Sequence, residues 1–90
     1  GWLATAAELV RFASSFDGFE GRRLLGPSMF AEMTARPATS AEDVYYGCGW
    51  QVRAEVRGEG CDLWHAGSID GSESLLVRRR DGLVWAILFN

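Results

Sequence analysis

Lysine is absent from this chain of 90 residues, and all nine of its basic residues are arginine. This absence excludes every motif that depends on a lysine side chain, including S-x-x-K, in which a lysine works with a serine nucleophile. The second half of the chain contains Ser68, Ser72 and Ser74. No lysine is present to activate them, and none of them lies in a G-x-S-x-G motif. We therefore expect no serine nucleophile among them.

Cysteine is also scarce, with only Cys48 and Cys61. Two cysteines are too few for a disulfide scaffold. A hairpin turn near residues 57–60 would leave them several residue pairs apart, beyond the reach of a disulfide, so we expect two free thiols. Together with His65 they make three potential metal ligands, but no C-x-x-C pair or other zinc spacing is present. We predict neither a metal site nor a cofactor.

Long apolar runs and an excess of positive charge are missing as well. No run approaches the ~20 residues that span a bilayer, and no basic-then-apolar start indicates a signal peptide. A net charge of −3 argues against a nucleic-acid partner, because such proteins usually carry a basic stripe. We interpret residues 78–80, three successive arginines, as the solvated end of a hairpin.

The residues that are present indicate one small folded domain over residues 1–90. Hydrophobic residues make up 48% of the chain and four are tryptophan, a composition rich enough for a single modest core. Disordered chains have few aromatic residues and a high net charge, and this chain has neither property.

Two short helices are predicted in the first half. Thr5 and Glu8 form a capping-box pattern, and apolar residues follow at helical spacing, which predicts a helix over residues 6–16 that ends at Asp17-Gly18. A second helix is predicted within residues 24–33, with Pro27 at N1, where its missing N–H costs nothing. Residues 34–43 are rich in Ala, Thr, Ser and Pro and are predicted to form a loop.

Strands are predicted in the second half, where the apolar period changes to two. We expect one strand over residues 45–56 that contains two glycines, a turn at 57–60, and a strand over 61–66. Residues 73–79 and 83–89 form a predicted hairpin around Asp81-Gly82. The fold class is therefore α+β: an antiparallel meander of three to four strands preceded by two short helices.

The last predicted strand, residues 83–89, is apolar on both faces. An antiparallel strand of this kind must be covered on both sides, and two short helices are too few to cover both faces of the sheet. We therefore expect the chain to self-associate, or to pair with a missing N-terminal segment of a longer protein, through the bare face of its sheet.

Four segments, taken in order, resemble the serine β-lactamase and penicillin-binding-protein superfamily. Residues 1–12 resemble G-G-L-x-S-T-A-x-D-L-A-R-F, residues 24–33 resemble L-L-S-P-x-x-x-x-E-M, and residues 46–50 resemble Y-G-L-G-W. Residues 65–90 resemble H-x-G-G-x-x-G-F-x-S followed by an apolar hairpin that ends in Asn. The most similar branch contains class C-like β-lactamases, esterases and D-alanyl-D-alanine carboxypeptidases of bacteria, enzymes of the cell envelope or the cytoplasm.

The resemblance implies the C-terminal part of a serine hydrolase, which makes an acyl-enzyme with a β-lactam, an ester or a D-alanyl peptide. It implies that His65, Ala66 and Gly67 line the active-site cleft, where His65 positions a small-molecule or peptide substrate. The backbone N–H of Ser68 would donate to the oxyanion, and Asp70 would lie at the substrate-binding edge. Gly67, without a Cβ, would let substrate approach the strand.

The chain departs from the family pattern at three points. S-x-x-K and Y-x-N are both absent, and the segment after Gly67 reads Ser68-Ile69-Asp70-Gly71-Ser72 where the family favours G-x-P-G-F. The isolated chain is therefore expected to be inactive, and the nucleophile would lie in the missing segment. The alternative hypothesis is a non-catalytic structural or interaction domain that keeps the fold. Asp70, in particular, fits a turn residue better than an acid catalyst.

Overall fold

Two short helices precede one antiparallel sheet in the computed structural model, which describes residues 3–17, 23–54 and 60–90. The elements in chain order are α1 (Ala6–Ser14), a 3₁₀ turn (Ser15–Asp17), α2 (Pro27–Met33), β1 (Val44–Tyr46), β2 (Gln51–Ala54), β3 (Cys61–Ile69), β4 (Ser72–Arg78) and β5 (Val84–Phe89). The five strands lie in the order β1-β2-β3-β4-β5. The α+β class and the meander are confirmed, whereas the predicted count of three to four strands is wrong.

Helix α1 begins at the predicted capping box. The Thr5 hydroxyl accepts a hydrogen bond from the Glu8 N–H at 3.2 Å, and the Glu8 carboxylate accepts one from the Thr5 N–H at 2.7 Å. The Thr5 backbone and side-chain hydrogen bonds lower the pKa of Glu8. The α-helix ends at Ser14 and the chain continues as the 3₁₀ turn, so the predicted helical end at residue 16 falls within that tighter turn. Gly18, the predicted helix stop, lies outside the described residues.

Helix α2 begins at Pro27, which confirms the prediction of Pro27 at N1, although the predicted helical segment started three residues earlier. Proline fixes the backbone of a first helical residue and lacks the N–H that a first turn leaves unpaired. The C-terminal end of α2 is tied to the sheet, because the Tyr45 hydroxyl donates to the Thr34 carbonyl at 2.6 Å. The predicted loop over residues 34–43 is confirmed.

The single strand predicted over residues 45–56 is wrong, because the chain turns back on itself between β1 and β2. The Gly47 N–H donates to the Trp50 carbonyl at 2.8 Å, and Gly49 has a φ of +80°. This turn packs on α2: the Cys48 N–H donates to the Met33 carbonyl at 3.0 Å, and a Cβ at Gly47 would lie 2.5 Å from the same oxygen. The glycines therefore permit a turn against a helix end, and Val56 lies outside the described residues.

The last three strands form two hairpins. Strand β3 continues to Ile69, three residues beyond the predicted end at Ala66, and the two-residue turn Asp70-Gly71 leads into β4. Gly71 has a φ of +77°, which favours glycine at this position. The predicted hairpin between β4 and β5 is confirmed. The predicted turn at 57–60 is described only at Gly60, where β3 follows at once.

The helices cover one face of the sheet. Because side chains alternate along a strand, Val52, Leu63 and Leu76 lie on the same face, and they pack with Ala13 and Phe16 in the buried core. The opposite face, called the bare face below, contributes nothing to that cluster and carries these apolar side chains: Trp64, Leu75, Val77, Trp85 and Ile87. Helix α1 packs over β5 and β4, and Leu9, Val84 and Ala86 all pack against the buried core on the covered face.

Both cysteines are free thiols, as predicted. Cys48 is exposed and Cys61 is buried. Within the described parts of the chain, neither helix is long and apolar enough to cross a membrane.

Candidate functional site

Strand β3 differs along its length in the number of its neighbours. Residues 61–64, the inner half, pair with β2, from Cys61 with Ala54 to Trp64 with Gln51, and Leu63 and Trp64 also pair with β4 on the other side. Residues 65–69, the outer half, pair only with β4, because β2 begins at Gln51. The outer half therefore presents an open edge on the side of β2, as far as the described residues extend.

The backbone groups of Ala66 and Ser68 point to this open edge. A two-residue hairpin is closed by a hydrogen-bonded pair, here Ile69 with Ser72, and hydrogen-bonded pairs then alternate along the ladder. His65 and Gly67 consequently bond to β4, whereas the N–H and C=O of Ala66 and Ser68 point away from it. An open row of this kind is the template on which an extended chain can form a further strand.

His65 lies at the boundary between the two halves of β3. Its imidazole contacts the Tyr46 ring edge to face, with the ring centroids 6.3 Å apart. Both side chains are exposed, and Tyr46 closes β1 just before the turn that docks on α2. The open edge and an exposed imidazole therefore adjoin each other at one end of the sheet.

Gly67 makes room for a side chain of the neighbouring strand. It pairs with Ser74, and a Cβ at Gly67 would lie only 2.7 Å from the Ser74 Oγ. On the covered face, the Ser74 hydroxyl therefore lies next to the space that a Cβ at Gly67 would fill. The close approach expected of a substrate at Gly67 would then take place along the strand edge.

A cavity of about 470 Å³ opens beside His65 between the helices and the covered face of the sheet. Three aromatic side chains form much of its wall: Phe12, Phe16 and Trp50. The Phe12 and Trp50 rings are nearly parallel at 6.5 Å, and Phe16 meets Trp50 edge to face at 5.9 Å. Its polar lining comes from Cys48, His65 and Ser74. Ser74 lies two residues from Leu76, which is the cross-strand partner of His65.

The structure separates the five predicted site residues into three groups. The His65 side chain and Gly67 lie on the covered face, and only His65 lines the cavity. Ala66 and Ser68 place their side chains on the bare face and their backbone groups at the open edge. Asp70 lies exposed in the turn between β3 and β4, outside the cavity lining, which agrees with its interpretation as a turn residue.

Sequence reasoning missed Tyr46, Ser74 and the aromatic wall as partners of His65. The signal for Ser74 was available, because a two-residue turn at Asp70-Gly71 fixes the register that pairs it with Gly67. The contribution of Phe12 and Phe16 had no local signal, since it depends on how α1 docks on the sheet. Among the described residues, no group of three His, Cys, Asp or Glu side chains is placed to hold a metal ion.

Comparisons with protein-family models, curated proteins and solved structures find no match to this chain.

The arrangement of the site follows from its own residues. It combines an open strand edge with two outward N–H groups, one exposed imidazole, and an apolar cavity with a polar end. These groups can bind an extended, acceptor-bearing molecule and orient a carbonyl along β3. No lysine exists in the chain, and the one histidine contacts a tyrosine ring.

Proposed function

We propose that this chain is the C-terminal part of a β-lactamase-like serine hydrolase and forms the H-x-G wall of its active site. The observation that supports this most directly is the open edge of β3, where the backbone N–H of Ser68 points outward three residues after His65. An acyl-transfer site needs N–H donors aimed at the position where a carbonyl oxygen gains charge, and a free strand edge presents such donors without a side chain.

In this proposal the outer half of β3 binds substrate as an added strand. Ala66 and Ser68 donate and accept backbone hydrogen bonds along the scissile group, and Ser68 supplies one oxyanion donor. His65 holds the polar end of the substrate and acts in proton transfer, a usual role of an imidazole in a catalytic site. The nucleophile comes from an S-x-x-K segment outside this chain, and the substrates are esters, β-lactams or D-alanyl peptides.

The bare face supports a protein partner in the same proposal. It carries two tryptophans and aliphatic side chains on adjacent strands, and the free edge strand β5 ends in exposed Leu88 and Phe89. Contiguous apolar surface of this kind is usually buried against another surface. The N-terminal segment of the parent covers this face in the proposal, and self-association replaces it when the chain is alone.

The test uses the longer protein that the upstream coding sequence specifies. We expect S-x-x-K and Y-x-N upstream, and a covalent adduct of a fluorescent penicillin or fluorophosphonate on that serine. His65→Ala should slow acylation by about 100-fold, the usual range for a group that handles a proton. Arg79→Gln, at the far hairpin, is the matched control, because its exposed pair with Asp81 contributes little.

An upstream sequence without S-x-x-K, or acylation that is unaffected by His65→Ala, would contradict the proposal. The chain by itself should not turn over nitrocefin or p-nitrophenyl acetate, because removal of a nucleophile costs orders of magnitude in rate. Turnover that survives repurification and disappears in Ser68→Ala or Ser74→Ala would contradict it equally.

The second candidate is a non-catalytic interaction domain with the same fold. The absence of lysine and the extent of the bare face favour it. An open reading frame that begins near Gly1, together with a stable complex of the purified chain with itself, would support this candidate over the hydrolase.

A further inference from the structure

The cavity beside His65 has the dimensions and lining of a site for a small molecule. Its volume of about 470 Å³ lies within the range of ~300–1,000 Å³ that is typical of ligand sites. Such sites are mostly apolar with a few polar groups that fix orientation, and here aromatic rings line the cavity together with His65 and Ser74.

The lining selects the charge of the ligand. Among the described residues that line the cavity there is no Asp or Glu, so an ammonium group would enter an apolar site without an anion to pair with. The His65 ring and the Ser74 hydroxyl can both donate hydrogen bonds, which suits a carbonyl or carboxylate. The favoured ligand therefore has an acceptor at one end and no positive charge.

The wall selects the shape of the apolar part. Phe12 and Trp50 are nearly parallel, Phe16 meets Trp50 edge to face, and all three rings line the cavity. Aromatic rings pack well against one another in offset or edge-to-face geometry. A flat ring is therefore favoured over a bulky branched group.

We propose that the cavity binds an aryl group carried by a substrate whose carbonyl or carboxylate end reaches His65 and Ser74. The substrate class is thus arylalkanoyl esters or amides, with the aryl part between α1 and the sheet and the acyl carbon toward β3. This assignment of a substrate class rests on the proposed function, because His65 belongs both to the proposed active site and to the cavity. The experiment that tests it measures ligand binding and does not require catalysis.

The probe is 4-phenylbutyrate, titrated into the 90-residue chain and followed by the proton NMR signals of the imidazole. His65 is the only histidine, so these signals need no assignment by mutagenesis. We expect a saturable shift with a dissociation constant on the order of 1 mM, as for other ligands of this size. The amine 4-phenylbutylamine should bind at least ~10-fold more weakly, and butyrate, which lacks the ring, should give no saturable shift.

A matched pair of variants locates the binding. Ser74→Leu places a larger side chain in the cavity lining and should abolish the shift. Ser72→Leu makes the same change on the same strand and face, outside the cavity lining, and should leave binding unchanged. If Ser74→Leu does not fold, a second readout in the unmodified chain replaces it: 4-phenylbutyrate should protect the exposed Cys48, another lining residue, from iodoacetamide.

The inference is overturned if 4-phenylbutyrate gives no saturable shift, if it leaves Cys48 unprotected, or if it binds Ser74→Leu as tightly as the original chain. Equal affinity for the amine would overturn the charge argument. If 4-phenylbutyrate does not bind but an upstream serine is acylated, the hydrolase proposal stands and only this substrate class is rejected. Binding here without any upstream S-x-x-K would instead contradict the hydrolase and identify a ligand-binding domain.

Discussion

The two halves of strand β3 are continuous in the chain but differ in side-chain exposure and in the number of neighbouring strands. The inner half contains Leu63, which is 0% exposed, and is hydrogen-bonded to strands on both sides. The outer half ends in Ile69, which is 76% exposed, and within the described part of the chain it has a neighbouring strand on one side only. The inner half holds the sheet together, and the outer half is left open to a ligand or partner chain.

This difference places the candidate site on a rigid support. The ladder with β4 runs without interruption from Leu63 to Ile69, so the open edge is fixed by the same strand that anchors the core. The β1–β2 turn stops β2 at Gln51 and docks on the end of α2, which keeps β2 from extending along the outer half. The site therefore arises where one strand is cut short and its neighbour continues.

The largest expected effect comes from truncating the inner half. Leu63→Ala should lower the free energy of unfolding by about 2–5 kcal/mol, because it leaves a cavity in the centre of the core. His65→Ala, two residues further on the same face, should cost less than ~1 kcal/mol, since the imidazole is exposed. Urea denaturation of both variants measures the difference. Similar losses in the two variants would show that the halves are equally structural.

A smaller effect is expected within the outer half itself. Gly67→Ala should destabilise by about 1 kcal/mol or less, because the new Cβ would meet the Ser74 Oγ at 2.7 Å and that hydroxyl must rotate away. Removing that hydroxyl should relieve the clash, so the double variant Gly67→Ala, Ser74→Ala should regain most of the loss. Urea denaturation of the single and double variants forms a double-mutant cycle. Additive losses would mean that Gly67 is needed for another reason.

The two thiols should report the same contrast without changing the fold. Burial raises the pKa of the Cys61 thiol, in the inner half, so less of it is thiolate at any given pH and its alkylation requires unfolding or a higher pH. Cys48 is exposed in the cavity lining near the outer half. Iodoacetamide at pH 8 should add one label in the native state and two in urea, as read by intact mass. Two native labels would place Cys61 in contact with solvent.

The sequence predicted the parts of the fold that depend on local chemistry. The capping box at Thr5 and the turn at Gly82 are set by residues close in the chain, and they appear where the pattern indicated. The division of β1 from β2 was missed, because two glycines fit a bulge or a turn equally well until the Met33 carbonyl is known to lie against them.

The site was predictable in its strand and not in its surroundings. His65, Gly67 and Ser68 lie within one short motif, so the resemblance to the family identifies them. The open edge depends on where β2 begins, and the cavity depends on Phe12 and Phe16, more than 45 residues away in the chain. Contacts of that separation leave no periodic signal, so sequence patterns alone do not give them.

Amide hydrogen exchange along β3, measured by NMR on the dilute chain, tests the open edge most directly. The N–H groups of Leu63, His65 and Gly67 should be protected by bonds to β4, whereas those of Ala66 and Ser68 should exchange about 100-fold faster or more. An alternation of slow and fast amides confined to the outer half is the predicted result. Protection of Ala66 and Ser68 equal to that of Gly67 would mean that the edge is already paired, and would contradict the account.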